Sequence, residues 1–240
     1  MRAAAALLLL SACLGACQAL DLLDPAGLVE TLSTGGAGLE RWKRPDFCGE
    51  LDCPPYKVEK KKDNYELRRY NAGKWLQTQV NDTKFELAYT KAASRLTKYF
   101  KGGNEEERSY KVTTPTLVEL KLVNEGKGTE QSYNFSLWLP EEIQKEPPQP
   151  TDAELQIIDY PKIKVYVRKF SGFATEGTIL KEANGFMDIL DDEGREDYGE
   201  EIIWVAIYDP PQKLMHRHNE IHLPAGQKKK KQQAEQVLAS

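Results

Sequence analysis

The chain has 240 residues, of which 33 are Lys or Arg and 37 are Asp or Glu. Its mean hydropathy of -0.60 excludes a polytopic membrane protein. Its formal net charge of -4 excludes a global positive field that would attract nucleic acid.

The first 19 residues predict a secretory signal peptide. Arg2 supplies a short positive region, an Ala/Leu run over residues 3–10 supplies the apolar segment, and small residues lead to Ala19. We predict cleavage after Ala19, with Ala16 as the alternative, and hence a secreted, extracellular protein. The rest of the sequence contains no hydrophobic run of membrane-spanning length, so no membrane span is expected.

Export determines how the cysteines and two asparagines are interpreted. Cys48 and Cys53 remain after cleavage, and an even pair in an oxidising compartment predicts a disulfide across a short loop. A metal site would need more ligands nearby, and no histidine precedes position 216. Asn-x-Ser/Thr triplets at Asn81 and Asn134 predict N-glycosylation.

The chain divides into an arm, a two-part domain and a tail. Residues 20–60 are interpreted as an N-terminal arm, because Gly-rich and Pro-rich stretches interrupt them. Residues 61–224 predict the folded domain, whose halves 61–145 and 155–224 are joined by a Pro-rich linker. The Lys-rich residues 225–240 lack apolar periodicity and predict a disordered tail rather than a membrane or nuclear address.

Alternating and helical apolar spacings predict a similar order of elements in both halves. The first half contains predicted strands 65–70 and 74–80, a helix 85–100, and strands 116–123 and 133–139. The second half contains a predicted strand 163–170, a helix 175–190, and strands 202–208 and 215–223. Residues 67–73 also align with residues 167–173 at an offset of 100. We therefore expect two halves related by a pseudo-twofold axis.

Four blocks in this order resemble the SOUL/haem-binding protein family. They are Tyr65–Tyr70 with Gly73–Trp75, Leu96–Asn104, Val165–Ala174, and Tyr208–Leu214 with Arg217–Ile221. The resemblance covers residues 56–224. It implies an α+β fold: a distorted antiparallel β-barrel with two helices, built from two pseudo-symmetric βαβ-type halves. It also implies a binding protein for haem or another tetrapyrrole, with a shallow apolar groove beside the first helix.

A groove for a porphyrin needs an apolar wall and cations for two propionates. By the resemblance, the first helix supplies the wall, and the loop before the last strand closes over it. The candidate ligand-binding residues are Ala92, Ala93, Leu96, Thr97, Lys98 and Lys213. The alternative is that the three apolar residues belong to the core and both lysines are solvated, because any helix on a sheet needs an apolar stripe.

The sequence favours a binding protein over an enzyme. His216, His218 and His222 share strand parity, which is compatible with a metal site. We instead expect all three on an exposed strand face, so neither a metal site nor an iron ligand is predicted. The sequence contains no nucleophile elbow, no His-Glu-x-x-His and no phosphate loop. The alternatives to tetrapyrrole binding are a carrier or interaction module for another amphipathic ligand or a protein partner, and a weak hydrolase.

Overall fold

The computed structural model describes residues 42–227. The predicted signal peptide, residues 20–41 of the arm and residues 228–240 of the tail lie outside the described residues. Within the described range there are ten strands and two α-helices: β1 Tyr56–Lys61, β2 Glu66–Tyr70, β3 Gly73–Asn81, α1 Phe85–Phe100, β4 Thr116–Val123, β5 Gly128–Thr129, β6 Ser132–Trp138, β7 Gln156–Tyr160, β8 Ile163–Phe170, α2 Glu176–Asp192, β9 Ile202–Ile207 and β10 Asn219–Pro224.

Both helices form where the apolar spacing predicts them, and each buries one apolar face. A residue every three or four positions returns to the same side of a helix, so the apolar stripe packs against the sheet. The buried residues are Phe85, Ala88, Ala92, Leu96, Tyr99 and Phe100 on α1, and Ile179, Ala183, Phe186 and Leu190 on α2. The two predicted helices are therefore confirmed.

The two ends of the sheet were not predicted. β1 carries almost only exposed residues, and no residue of β7 is fully buried. Each pairs on one side only, β1 with β2 and β7 with β3. A strand with one neighbour and little buried surface lacks the apolar alternation on which strand prediction depends. The sheet thus begins at Tyr56, inside the range assigned to the arm.

The C-terminal boundaries also differ from the prediction. β10 begins at Asn219 rather than at residue 215, because residues 209–218 form a loop. The tail was expected from residue 225, yet the Ala225 amide donates to the Lys164 carbonyl at 2.9 Å. The Gly226 amide donates to the Asp197 carbonyl at 2.6 Å. The domain therefore extends at least to Gly226.

The sheet has a mirrored strand order, which shows the two pseudo-symmetric halves. Its order is β1-β2-β8-β10-β9-β4-β6-β3-β7, with β5 paired to β4. The central pair is β9 and β4. Counted outward from this pair, the series β9-β10-β8-β2 on one side matches the series β4-β6-β3-β7 on the other. β2 therefore corresponds to β7, and β8 corresponds to β3. The strands Glu66–Tyr70 and Gln156–Tyr160 are thus equivalent, at an offset of 90 residues.

The offset of 100 residues predicted from sequence is therefore wrong. It superposes β2 on β8, but these strands are antiparallel neighbours, with Leu67 opposite Tyr166. Leu67 shares a face of the sheet with Tyr166, so Val167, its partner in the alignment, lies on the opposite face. The similarity of these letters therefore reports neither the symmetry of the halves nor a common side of the sheet.

The sheet is strongly curled, with its helix-free face on the inside. The rings of Tyr160 on β7 and Trp204 on β9 lie 6.4 Å apart, although β4, β6 and β3 separate these strands in the sheet. In a flat sheet four strand spacings would place them roughly 19 Å apart. Among the described residues no pairing joins β1 to β7, so the predicted barrel is an open half-barrel.

A disulfide-bonded segment covers part of this inner face. Cys48 and Cys53 are bonded to each other, and they pack with Ala206 and Tyr208 in a second apolar cluster. The Thr114 amide donates to the Asp52 carbonyl at 2.9 Å and holds the segment in place. We call residues 46–54 the disulfide strap. This part of the predicted arm is a component of the domain.

The two glycosylation triplets lie in very different surroundings. Asn81 is exposed at the end of β3. Asn134 lies within β6, where its Nδ2 donates to Glu119 Oε1 at 3.0 Å, and Ser136 of the same triplet is only 1% exposed. A glycan on Asn134 would replace that hydrogen bond on the inner face of the sheet.

We therefore expect one glycan, on Asn81, if the chain enters the secretory pathway. Asn81→Gln should abolish the mobility shift that a glycosidase produces on a denaturing gel. Asn134→Gln should leave the shift unchanged, because Asn134 is half-buried in β6 and bonded to Glu119. A shift that persists in Asn81→Gln and disappears in Asn134→Gln would contradict this assignment.

Candidate ligand-binding site

A depression lies beside the C-terminal end of α1, and we call it the α1 groove. It has a volume of about 730 Å³. Its lining residues come from the last two turns of the helix and the following turn: Ala93, Ser94, Thr97, Lys98, Lys101, Gly102 and Gly103. Lys98 and Lys101 are both exposed, and neither forms an ion pair with another residue of the described range 42–227.

Two glycines shape the end of this groove. Gly102 has a φ of 101°, a left-handed conformation that costs glycine little. The Gly103 amide donates to the Lys98 carbonyl at 2.9 Å, which closes the helix. A Cβ on Gly103 would lie 2.8 Å from that carbonyl oxygen, so no larger residue fits without movement.

The structure brings together only half of the predicted site. Ala93, Thr97 and Lys98 line the α1 groove. Ala92 and Leu96 are 0% exposed and belong to the main core, as the alternative interpretation expected. One position along a helix rotates a side chain by about 100°, so neighbours such as Ala92 and Ala93 face different surroundings. Lys101 was missed, although its spacing of three from Lys98 was visible in the sequence.

Lys213 lies in the loop 209–218 and does not line the α1 groove. Its Nζ donates to Asp209 Oδ1 at 2.7 Å. Burial raises the pKa of Asp209, but the hydrogen bonds from Lys213 and from the His218 amide outweigh burial and lower it. Lys213 is thus already paired with a carboxylate, unlike Lys98.

Arg217 holds that loop in its shape. Its guanidinium donates to the carbonyls of Asp209, Pro210 and Lys213 at 2.7–2.8 Å. The loop tip consequently presents Leu214 to solvent, with 73% of its surface exposed.

A buried polar cluster occupies the inner side of β10. Glu220 is 0% exposed and accepts hydrogen bonds from four side chains. These are Arg68 at 3.0 Å, and Tyr208, His218 and His222 at 2.9 Å each. Four donors therefore surround this buried carboxylate.

The expectation that all three histidines lie on an exposed face is therefore wrong. Only His216 is exposed, whereas His222 is 5% exposed. β10 lies between β8 and β9. The ring of Phe47 in the strap stacks on His218 with centroids 4.1 Å apart, and the ring of Tyr70 on β2 lies 5.7 Å from His222, so both histidines are covered. In the described part of the chain, no group of three or more His, Cys, Asp or Glu residues could hold a metal ion.

The contacts within this cluster determine which of its side chains are charged. Burial raises the pKa of Glu220, but hydrogen bonds from both histidines and the charge of Arg68 hold it well below its usual value. Burial lowers the pKa of His222 more strongly than the contact with Glu220 raises it. Near neutral pH the cluster therefore contains an ionised Glu220, a charged Arg68 and a neutral His222.

A second cavity lies inside the half-barrel, and we call it the inner cavity. Its enclosed part has a volume of about 50 Å³. With the open mouth included, the empty space is about 540 Å³. Its lining residues are mainly aromatic, aliphatic or proline: Pro54, Tyr70, Asn71, Trp75, Pro115, Leu117, Tyr160, Pro161, Ile163, Val165, Trp204, Tyr208 and His222. The part beneath the mouth is too small to enclose a porphyrin.

No helix of the described range is long and apolar enough to cross a membrane.

Comparisons with known proteins agree with this architecture. Heme-binding protein 2 of Homo sapiens is 29% identical over 202 residues, which cover 83% of this chain and 91% of that protein. Heme-binding protein 1 of Xenopus laevis is 29% identical over 165 residues, with coverage of 69% and 85%. A cryo-EM structure of an EcmrR–DNA complex shares the fold with a TM-score of 0.50 at 14% identity, covering 68% of this chain and 57% of that chain.

The family to which the chain belongs follows from a match to a family model over most of the domain. The model of the family described as SOUL heme-binding protein matches residues 51–224. This range includes every strand and both helices described above, and it confirms the resemblance seen in the sequence blocks. The chain belongs to the SOUL haem-binding protein family.

Proposed function

We propose that this protein is a secreted, non-enzymatic binding protein that holds haem or another tetrapyrrole non-covalently in the α1 groove. The observation that carries the proposal is a groove of about 730 Å³ bordered by two exposed lysines, in a chain of this family. Export is supported by the Ala/Leu segment that precedes Ala19 and by the bond between Cys48 and Cys53.

The residues of the α1 groove fit a tetrapyrrole with propionates. The volume lies within the range of roughly 300–1,000 Å³ that is usual for small-molecule sites. Lys98 and Lys101 supply two cations, which matches two carboxylates. Ala93 and the two glycines expose little side chain, so a flat ring can approach the backbone.

No histidine lines the α1 groove, so the groove has no histidine ligand for the iron of a haem. All three histidines of the sequence lie at positions 216–222, and none lines the α1 groove. Haem would supply a conjugated ring and an iron atom. The protein would supply surface contact and the two lysines, so binding should not depend on histidine.

We expect the double substitution Lys98→Ala/Lys101→Ala to weaken haemin binding about 5- to 30-fold at low salt. Each exposed charged contact contributes about 0.5–1 kcal/mol, because solvent screens it. The remaining binding should also depend less on ionic strength. Titration of the mature protein with haemin, followed by the Soret absorbance, measures both effects.

A matched control uses Lys181→Ala, an exposed lysine on α2. It removes one positive charge outside the groove and should leave haemin binding unchanged. If Lys213→Ala weakens binding while the Lys98/Lys101 variant does not, the site lies in the loop 209–218. If haemin gives no saturable Soret shift, the protein is a carrier or interaction module for another ligand or partner.

A further inference from the structure

The inner cavity is bounded by aromatic rings whose polar atoms are already bonded elsewhere. Trp204 Nε1 donates to Glu119 at 2.9 Å, and the Tyr208 hydroxyl donates to Glu220 at 2.9 Å. The Tyr70 hydroxyl accepts from Arg68 at 3.3 Å. These bonds restrict ring rotation, so the rings are positioned before any ligand arrives.

Ring packing adds to this rigidity. Trp75 and Tyr160 pack edge to face with centroids 5.6 Å apart, and Tyr160 and Trp204 do so at 6.4 Å. These three residues come from both halves of the sheet and line the inner cavity together. Aromatic rings at right angles present both faces and edges, which are favourable partners for a further aromatic ring.

The lining carries no formal charge, and it includes the imidazole of His222. None of the lining residues is Lys, Arg, Asp or Glu. His222 lines the inner cavity, and its Nε2 lies 2.9 Å from Glu220 Oε2. An ionised carboxylate only accepts, so Nε2 carries the hydrogen and Nδ1 is an acceptor. The lowered pKa of His222, caused mainly by burial, keeps this ring neutral.

We propose that the inner cavity binds a small, neutral, single-ring aromatic molecule with one hydrogen-bond donor, such as a phenol. The ring would lie among Trp75, Tyr160 and Trp204, and the donor would reach His222 Nδ1. Because only about 50 Å³ is enclosed, the ring would extend into the open mouth of the cavity. The uncharged lining disfavours carboxylates and ammonium ions. Water is a poor occupant, because apolar walls leave it few hydrogen-bond partners.

This site is separate from the α1 groove, since the two share no lining residue. The inner cavity opens past Asn71 and Pro161, which are exposed. The strap contributes Pro54 to its wall. The two sites can therefore be tested independently.

The experiment titrates the mature protein with phenol, toluene and benzoate by isothermal calorimetry. Phenol should bind about 3- to 10-fold more tightly than toluene, because only phenol can donate to His222. Benzoate should bind at least tenfold more weakly than phenol, since its charge would lose hydration in an apolar site. His222 itself is not replaced, because it also bonds Glu220.

Ile163→Trp fills the mouth of the inner cavity and should weaken phenol binding at least tenfold. Ile202→Trp is the control, because Ile202 is 41% exposed and does not line the cavity. Equal binding of phenol and toluene, or unchanged phenol binding in Ile163→Trp, would overturn the proposal. Haemin binding should be the same in Ile163→Trp and the wild type, and displacement of phenol by haemin would also overturn it.

Discussion

Replacing Arg68 by Met is expected to lower the free energy of unfolding by about 3–5 kcal/mol at neutral pH. Arg68 is 6% exposed and Glu220 is 0% exposed, so the substitution leaves an ionised carboxylate buried without its cation. The hydrogen bonds from Tyr208 and His222 remain, but these neutral groups do not supply the compensating charge. Urea denaturation of both proteins measures the difference.

Arg69→Met is the matched control on the same strand. Its side chain is 36% exposed and its Nε lies 3.0 Å from Glu59. Solvent screens this pair, so the expected loss is only about 0–1 kcal/mol. Equal losses in the two variants would show that Arg68 contributes no more than a surface ion pair.

The same cluster sets the sign of the pH dependence. The native pKa values of Glu220 and His222 lie below their ordinary values of 4.5 and 6.5. The unfolded chain therefore binds more protons, and wild-type stability should fall as the pH falls from about 6.5. In Arg68→Met, protonation of Glu220 removes an uncompensated charge. The difference in the free energy of unfolding between variant and wild type should therefore narrow as the pH falls and Glu220 of the variant takes up a proton.

Truncation of the two helix faces should have a similarly large effect. Leu96 on α1 and Leu190 on α2 are each 0% exposed. Leu96→Ala and Leu190→Ala should each lower the free energy of unfolding by about 2–5 kcal/mol, from lost apolar burial and the cavity left behind. Urea midpoints of the single variants measure both losses.

Leu87→Ala provides the comparison on the same helix. Leu87 is 51% exposed on α1, so its truncation removes little buried surface. The expected change is below about 0.5 kcal/mol. Midpoints that are unchanged in Leu96→Ala and Leu190→Ala would mean that these faces do not hold the helices on the sheet.

The sequence by itself determined the elements whose signals are local. Strand β4 and helix α1 have the predicted bounds, Thr116–Val123 and Phe85–Phe100. Each buries one face, so its apolar residues repeat with the period of its own backbone. The four sequence blocks also identified the family, because they follow one another along the chain in the order typical of the family.

Tertiary structure alone decided the strand partners and the true symmetry. β1 and β7 lie at the sheet ends and carry no apolar alternation, because each has only one neighbour. The equivalence of β2 with β7 follows from strand order, which depends on contacts between distant segments. A short alignment along the chain contains no information about those contacts.

The predicted ligand-binding residues on α1 proved to lie in two different environments for the same reason. A sequence pattern assigns Ala92 and Leu96 to an apolar stripe. Only the packed structure shows that this stripe belongs to the core. It also shows that Ala93, Thr97 and Lys98 border the α1 groove. Arg68 and Glu220 are 152 residues apart in the chain. They meet beside His222, which lines the inner cavity, because β2, β8 and β10 are neighbours in the sheet. Burial is a property of these long-range neighbours, so it emerges only when the chain is folded.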